Sequence, residues 1–283
     1  MTPQFNFSSQ SELFSIAIAI LEDYTITSWS FGGGTALSLL YYQHRMSYDI
    51  DIFLDDYSEI QRLIDNQDEI AQNLGIPSTQ IASSPSAVTF ILEEDGFGLK
   101  LDFVYSPVLT NKAFVTKEVF GYSDVNVQTA LEIIAKKLKH REKATIRDFV
   151  DYAVAEEKEG ILSKLKFENI VDIDRYFDVV EKFNQFDKHT FDTELQGLMP
   201  ECKVRKENFS RIINSIMQPN KWIEVAVDHT GEAVAFDEFI EGYRSHYEEL
   251  GTFEVYRIKN DGFSYLDVLK FTREELISLS RDC

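Results

Sequence analysis

Apolar residues run almost unbroken through L-F-S-I-A-I-A-I-L, behind a Ser9-x-x-Glu12 capping box, and predict a buried first helix over roughly Ser11 to Glu22. Thr25 to Phe31 is rich in Thr, Ile, Trp and Phe and reads as a strand. Gly32 to Gly34 turn the chain. Thr35 to Gln43 then reads as a helix whose apolar residues are Ala36, Leu37, Leu39 and Leu40. Arg45 to Asp49 is a short connection into a second strand, Ile50 to Leu54. The period changes again over Asp56 to Leu74, where Ile60, Leu63, Ile64 and Ile70 mark one helical face before Gly75 and Pro77. Thr89 to Leu92 and Gly98 to Tyr105 are strands across a turn at Glu93 to Gly96, and Val115 to Val125 reads as a short strand pair. From Val127 to His140, Val127, Ala130, Leu131, Ile134 and Leu138 recur at helical spacing. A further helix starts at Thr145.

The alternation gives an α/β (α+β) class with its boundary near 158: residues 1–158 as one domain and 159–283 as a mostly helical second one. In the second part Lys164 to Phe167, Ile170 to Phe186, Asn208 to Met217, Glu238 to Leu250 and Thr272 to Ser280 read as helices. Trp222 to Phe239, with a turn at Thr230 and Gly231, and Phe253 to Ile258 have strand-like alternation.

Charge narrows the function classes. The net charge of −20 argues against a broad nucleic-acid-binding surface, which needs a basic footprint. Basic residues are nonetheless local: of the eleven Lys and Arg in residues 1–150, six lie between Lys136 and Arg147, enough to serve a triphosphate. No metal spacing or disulfide framework can be read from the two cysteines, Cys202 and Cys283, which points to a reducing cytoplasm. The apolar run Leu13 to Leu21, broken by Ser15, is too short for a membrane span and lacks the basic flank of a signal peptide.

The chemistry concentrates in F-G-G-G-T-A-L-S-L-L-Y-Y-Q-H-R-M-S-Y-D-I-D, Phe31 to Asp51. Glycines let backbone N–H groups approach a phosphate with no Cβ in the way. In a D-I-D strand, period 2 puts Asp49 and Asp51 on one face, and two such carboxylates repel unless a cation joins them. Asp102 lies on the polar face of its strand, between Lys100 and Val104, as a third carboxylate would. On the helical wheel Lys136 points away from the core, and Lys137 and Arg141 share an edge. Asp148 pairs with Thr145 as a capping box. Asp151, one turn on, reads as solvated or paired with Arg147. Arg45 reads as bridging to an aspartate, and His44 and His140 as surface residues.

At G-G-G-T-A-L…R-M-S-Y-D-I-D, followed by K-K-L…R…R-D-F-V-D, the sequence resembles the AbiEii/AbiGii toxin family of nucleotidyltransferases, within the DNA polymerase β-like superfamily. The resemblance covers roughly Leu13 to Glu156, with four separated motifs in the family's order. It implies a polymerase β-like core of mixed sheet flanked by helices, followed by a mainly helical part with a small β element. It further implies that Gly33, Gly34 and Thr35 hold nucleotide phosphates, with Arg45, Ser47 and Arg141 close by. Asp49 and Asp51 match the metal pair, with Asp102 as third carboxylate, and Mg²⁺ or Mn²⁺ as the ion. Lys137 matches a triphosphate-contacting lysine, and Asp148 an acidic residue of the following helix.

The implied reaction moves an NMP from an NTP to a hydroxyl acceptor, tRNA or protein, as the toxin half of a toxin–antitoxin or phage-defence system whose antitoxin is a partner protein. Two other readings stand beside it. A small-molecule, aminoglycoside-type nucleotidyltransferase suits an acidic cleft. A non-catalytic binding module would keep the fold without the transfer.

Overall fold

The structure, a computed structural model, describes residues 5–94, 97–141, 144–167 and 170–198, and four strands beyond them, 222–227, 233–235, 253–259 and 265–271. The chain divides into two compact units, Met1–Ile213 and Asn214–Cys283.

The first unit opens with α1 (Ser8–Asp23), β1 (Trp29–Gly32) and α2 (Gly33–Leu37), the last running on into a π-helical turn, Ser38–Tyr42. Next come β2 (Ile50–Leu54), α3 (Tyr57–Asp65), α4 (Gln67–Leu74), β3 (Ile81–Ser84), β4 (Ala87–Glu94), β5 (Phe97–Tyr105), β6 (Phe114–Val119) and β7 (Tyr122–Gln128). α5 (Ala130–His140), α6 (Ile146–Glu159), α7 (Ile161–Phe167), α8 (Ile173–Gln185) and α9 (Lys188–Leu198) follow.

The seven strands make one mixed sheet in the order β3-β4-β5-β2-β1-β7-β6. β2 is central, antiparallel to β1 and parallel to β5. Alternation along β2 sends Ile50, Ile52 and Leu54 to one face, where they are fully buried with Leu101 and Phe103 of β5 in the layer that α1 and α3 cover. Asp51 and Phe53 therefore take the other face. Phe14 of α1 makes ring contacts with Trp29, Phe31, Phe120 and Tyr122. α7 and α8 pack against α5, and α7 and α9 against α6, so helices beyond residue 158 complete the first unit.

Several elements differ from the sequence reading. The first helix begins at Ser8 with no side-chain cap, so Ser9 and Glu12 form no capping box; Asn6 instead accepts a bond from the Ser8 N–H at 3.0 Å. The predicted helix from Asp56 to Leu74 is two, broken at Asn66, whose side-chain amide donates to the Arg62 carbonyl. The long helix predicted from Val127 begins at Ala130 because Val127 and Gln128 are held in β7. β3 was not expected; it is short and mostly exposed, with no alternation to betray it.

In the second unit the described residues form an antiparallel sheet, β8 (Trp222–Val227), β9 (Ala233–Ala235), β10 (Phe253–Lys259) and β11 (Tyr265–Phe271), ordered β11-β10-β8-β9. The helices expected at Asn208 to Met217, Glu238 to Leu250 and Thr272 to Ser280, and the turn at Thr230 and Gly231, lie outside the described residues. No helix among the described residues is long and apolar enough to cross a membrane.

Phe14→Ala is expected to destabilise the first unit by about 3–5 kcal/mol, the usual cost of emptying a buried ring site, measured by urea unfolding of the full chain.

Candidate active site

The site begins with sheet register. Gly32 at the end of β1 pairs with Asp51, and Asp51 pairs with Asp102 on β5. Residues paired across parallel strands point to the same face, so Asp51 and Asp102 stand side by side at the end of the glycine turn. Asp49 precedes β2 by one residue on the same alternation.

The glycines are required by closeness. Gly33 has φ +70°, and a Cβ there would lie 1.8 Å from Asp51 Oδ2. A Cβ on Gly34 would meet Arg45 Nη2 at 2.6 Å and Ser47 Oγ at 3.0 Å. The turn is thus packed directly onto Asp51 and onto the segment that precedes it.

That segment is pinned from α2. The Thr35 hydroxyl donates to the Asp49 carbonyl at 2.5 Å, and the Ser38 hydroxyl donates to the Arg45 carbonyl. Thr35 is fully buried and its hydroxyl bonds the backbone of the acidic segment; the sequence reading had that hydroxyl on a phosphate. The π turn closes with Gln43 N–H bonding Ser38 C=O at 2.8 Å, and Gln43 itself is left-handed, φ 47°. This reverses the chain and brings Arg45 back beneath the glycines.

Asp151 is the anchor of the basic residues. It is fully buried; Arg45 grips it with Nε at 2.7 Å and Nη2 at 2.8 Å, His44 Nε2 lies at 2.7 Å, and Lys137 Nζ at 2.9 Å. Burial alone would raise its pKa, but Arg45 and Lys137 outweigh that and hold it well below the usual carboxylate range. Burial lowers the His44 pKa against the pull of Asp151, which favours a neutral ring. Lys137 also reaches Asp148 at 3.0 Å. Asp148 completes the capping box with Thr145, so cap and ion pair coexist in one carboxylate.

Three readings of the sequence are corrected here. Asp151 is neither solvated nor paired with Arg147, which lies 4.0 Å from Asp49 Oδ2 instead. His44 is buried. Lys136 does not point outward: its Nζ donates to the Ser106 carbonyl at 2.9 Å, pairs with buried Glu132 at 3.4 Å and sits over the Phe53 ring. The spacing Asp148-x-x-Asp151 was the available signal for Asp151, since i and i+3 share a helix face. Lys136 had none, because its covering, the loop after β5, comes from tertiary packing.

The acidic side is under strain. Burial, then the neighbouring Asp102 and Asp49, push the Asp51 carboxyl up to about 7. Burial also raises Asp102, against a hydrogen bond donated by the Thr89 hydroxyl. Among the described residues no three His, Cys, Asp or Glu side chains form a ready-made metal cage. The donor set does fit a hard divalent cation: carboxylate oxygens only, mutually repelling, and beside a turn with no Cβ.

Two cavities adjoin these groups and share Gly34, Asp51, Lys137 and Arg141. One, about 280 Å³, is polar and includes Asp49, Asp102, Thr89, Lys100, Arg147, Asp148, Arg45 and Ser47. The other, about 420 Å³, is mainly apolar. The structure thus gathers the site residues marked in the sequence, except that Thr35 contributes through the backbone it holds. Arg147, Lys100 and Thr89 join them.

The model of the nucleotidyl transferase AbiEii toxin family, type IV toxin–antitoxin system, matches residues 23–229. JHP933 from Helicobacter pylori is 17% identical, with 75% of this chain and 94% of that one covered and a TM-score of 0.42. MenT4, a nucleotidyltransferase toxin from Mycobacterium tuberculosis H37Rv, is 15% identical, with 75% and 84% covered and a TM-score of 0.42. No curated protein matches the chain in sequence.

Two expectations follow. Asp151→Ala leaves Arg45 and Lys137 buried without their shared carboxylate and should cost about 3–5 kcal/mol, read by denaturant unfolding. Asp51→Asn should act in the opposite direction. A carboxyl raised to about 7 in the fold ionises on unfolding between the unfolded pKa of 3.8 and 7, so its penalty grows across that window and is complete above it. The metal-free variant should therefore melt several °C higher than wild type at pH 8, with the gap closing towards pH 4.

Proposed function

The chain belongs to the AbiEii nucleotidyltransferase toxin family, and from that premise we propose that it transfers a nucleotide from an NTP to a hydroxyl acceptor in a metal-dependent reaction. The observation that carries the proposal is the in-register pair Asp51 and Asp102 beside a glycine turn whose Cβ would strike Asp51. Asp49 and Asp51 would hold Mg²⁺ or Mn²⁺, with Asp102 as a further ligand or as base. When bound, the ion supplies positive charge to the reacting phosphate oxygens.

The chain's own residues do the rest. Gly33 and Gly34 admit a phosphate to the backbone. Lys137 and Arg141, which line both cavities, offset charge on the departing pyrophosphate, and Arg147 stands within reach on the polar side. Asp148 and Asp151 fix the Lys137 ammonium. As base, Asp102 would take the proton of the acceptor hydroxyl, and in either role Thr89 orients it. Arg45 acts through Asp151 and Gly34, and Ser47 through its packing on Gly34. Placement and electrostatics dominate such a reaction, which suits a site built from pinned backbone.

The acceptor is tRNA or a protein hydroxyl in the cytoplasm, and an antitoxin protein opposes the activity. With a net charge of −20, capture of RNA would depend on local cations such as Lys100, Arg141 and Arg147.

Incubation with each α-labelled NTP and divalent cation, together with total tRNA, cell protein and aminoglycosides, should place label on one macromolecule. Asp51→Asn should reduce that transfer by at least ~100-fold while leaving the protein folded, and chelation should do the same. Label on an aminoglycoside instead would make the small-molecule reading correct. No label anywhere would favour the non-catalytic module.

A further inference from the structure

We infer that the 420 Å³ cavity receives the base and sugar of the donor NTP and that Ser106 and Lys136 set which nucleotide is used. The inference rests on the nucleotidyl-transfer reading and adds to it the residues that read the substrate.

The two cavities divide the chemistry. Their shared wall of Gly34, Asp51, Lys137 and Arg141 is where phosphates belong. On one side lie carboxylates and cations. On the other, the lining turns apolar: Phe53, Val104, Tyr105 and Ile133. Apolar and aromatic walls with a few fixed polar groups suit a nucleoside, whose faces are flat and whose edge carries hydrogen-bonding atoms.

Two polar groups in that lining have capacity left. Ser106 is buried, and its hydroxyl has no hydrogen-bond partner among the described residues. Leaving such a group unmatched is costly, so it calls for a partner from outside the fold. Lys136 carries three N–H donors. One goes to the Ser106 carbonyl at 2.9 Å and one towards Glu132 at 3.4 Å. No further oxygen partner is present among the described residues, and the ammonium lies 4.6 Å from the centre of the Phe53 ring, which lines the same cavity.

Neither group is loose. Glu132 is fully buried and accepts bonds from the Leu109 N–H at 3.0 Å, the Thr110 N–H at 2.9 Å and the Thr110 hydroxyl at 2.8 Å. This carboxylate ties the loop after β5 to α5, the same helix that carries Lys137. The loop that begins at Ser106 is therefore tied to the helix that carries both Lys136 and Lys137, as selection by fixed donors requires.

The test compares kcat/KM for ATP, GTP, CTP and UTP in wild type, Ser106→Ala and Lys136→Met, with inorganic tripolyphosphate as a competing phosphate-only probe. Wild type should rank the four nucleotides. Each variant should compress that ranking by roughly tenfold, through KM, while tripolyphosphate inhibits as before. Ser106→Ala removes one hydroxyl and carries the test even if Lys136→Met unfolds by stranding Glu132. A ranking that survives in the folded variants, or tripolyphosphate inhibition that weakens in step with it, overturns the inference while transfer itself stands. Equal use of all four nucleotides by wild type overturns it too. Absence of transfer from every NTP defeats the underlying reading as well.

Discussion

One buried carboxylate, Asp151, gathers the basic half of the site. It collects Arg45 from the connection after the π turn, Lys137 from α5 and His44, while sitting on α6 itself. Three separate pieces of chain are fixed to one another by charge in a place water does not reach. Such an arrangement contributes less to net stability than its short distances suggest, because every ion has been desolvated. What it does supply is position: the Lys137 ammonium and the Arg45 plane have few alternatives.

The acidic half is organised by the opposite rule. Asp51 and Asp102 are brought together by strand register with Asp49 one residue before β2, and burial makes Asp51 and Asp102 costlier still. A sheet designed only for stability would put an amide or an apolar residue at position 51. The fold carries this penalty next to a closely paired ionic cluster, so strain and support occupy neighbouring residues. In the proposed chemistry the repulsion is what a divalent cation relieves.

The alternation of β2 and β5 was legible from residues alone, because a strand buried on one face must alternate and Asp51 and Asp102 fall out of phase with Ile50, Ile52, Leu101 and Phe103. The Thr145 and Asp148 capping box was legible for the same reason: its bonds are local in sequence. What escaped was set by distant contacts. Lys136 looks outward on any helical wheel until the loop after β5 is laid over it. His44 and Asp151 are 107 positions apart, and nothing in either neighbourhood announces the other. Thr35 was placed in the right turn but its bond to the Asp49 carbonyl was not foreseen, since a glycine-rich motif does not say what its side chains hold in the backbone. Of the helices beyond residue 158, α7 and α8 were recognised as helices and α9 was not, and the packing of all three on α5 and α6 depends on partners that periodicity does not name.

The π turn at Ser38–Tyr42 gives the connection after it a sense of phase. Its closing bond spans five residues where an α-helix spans four, so the chain leaves with one residue more than a regular turn would hold. Arg45 and Asp49 are each tethered by a hydroxyl upstream of that surplus. Change in this stretch is consequently quantised: side chains can be exchanged one for another, but a gain or loss of a single position would swing the whole return path about the helix axis by roughly a quarter turn. Lineages of this protein should therefore vary here in spelling and not in length.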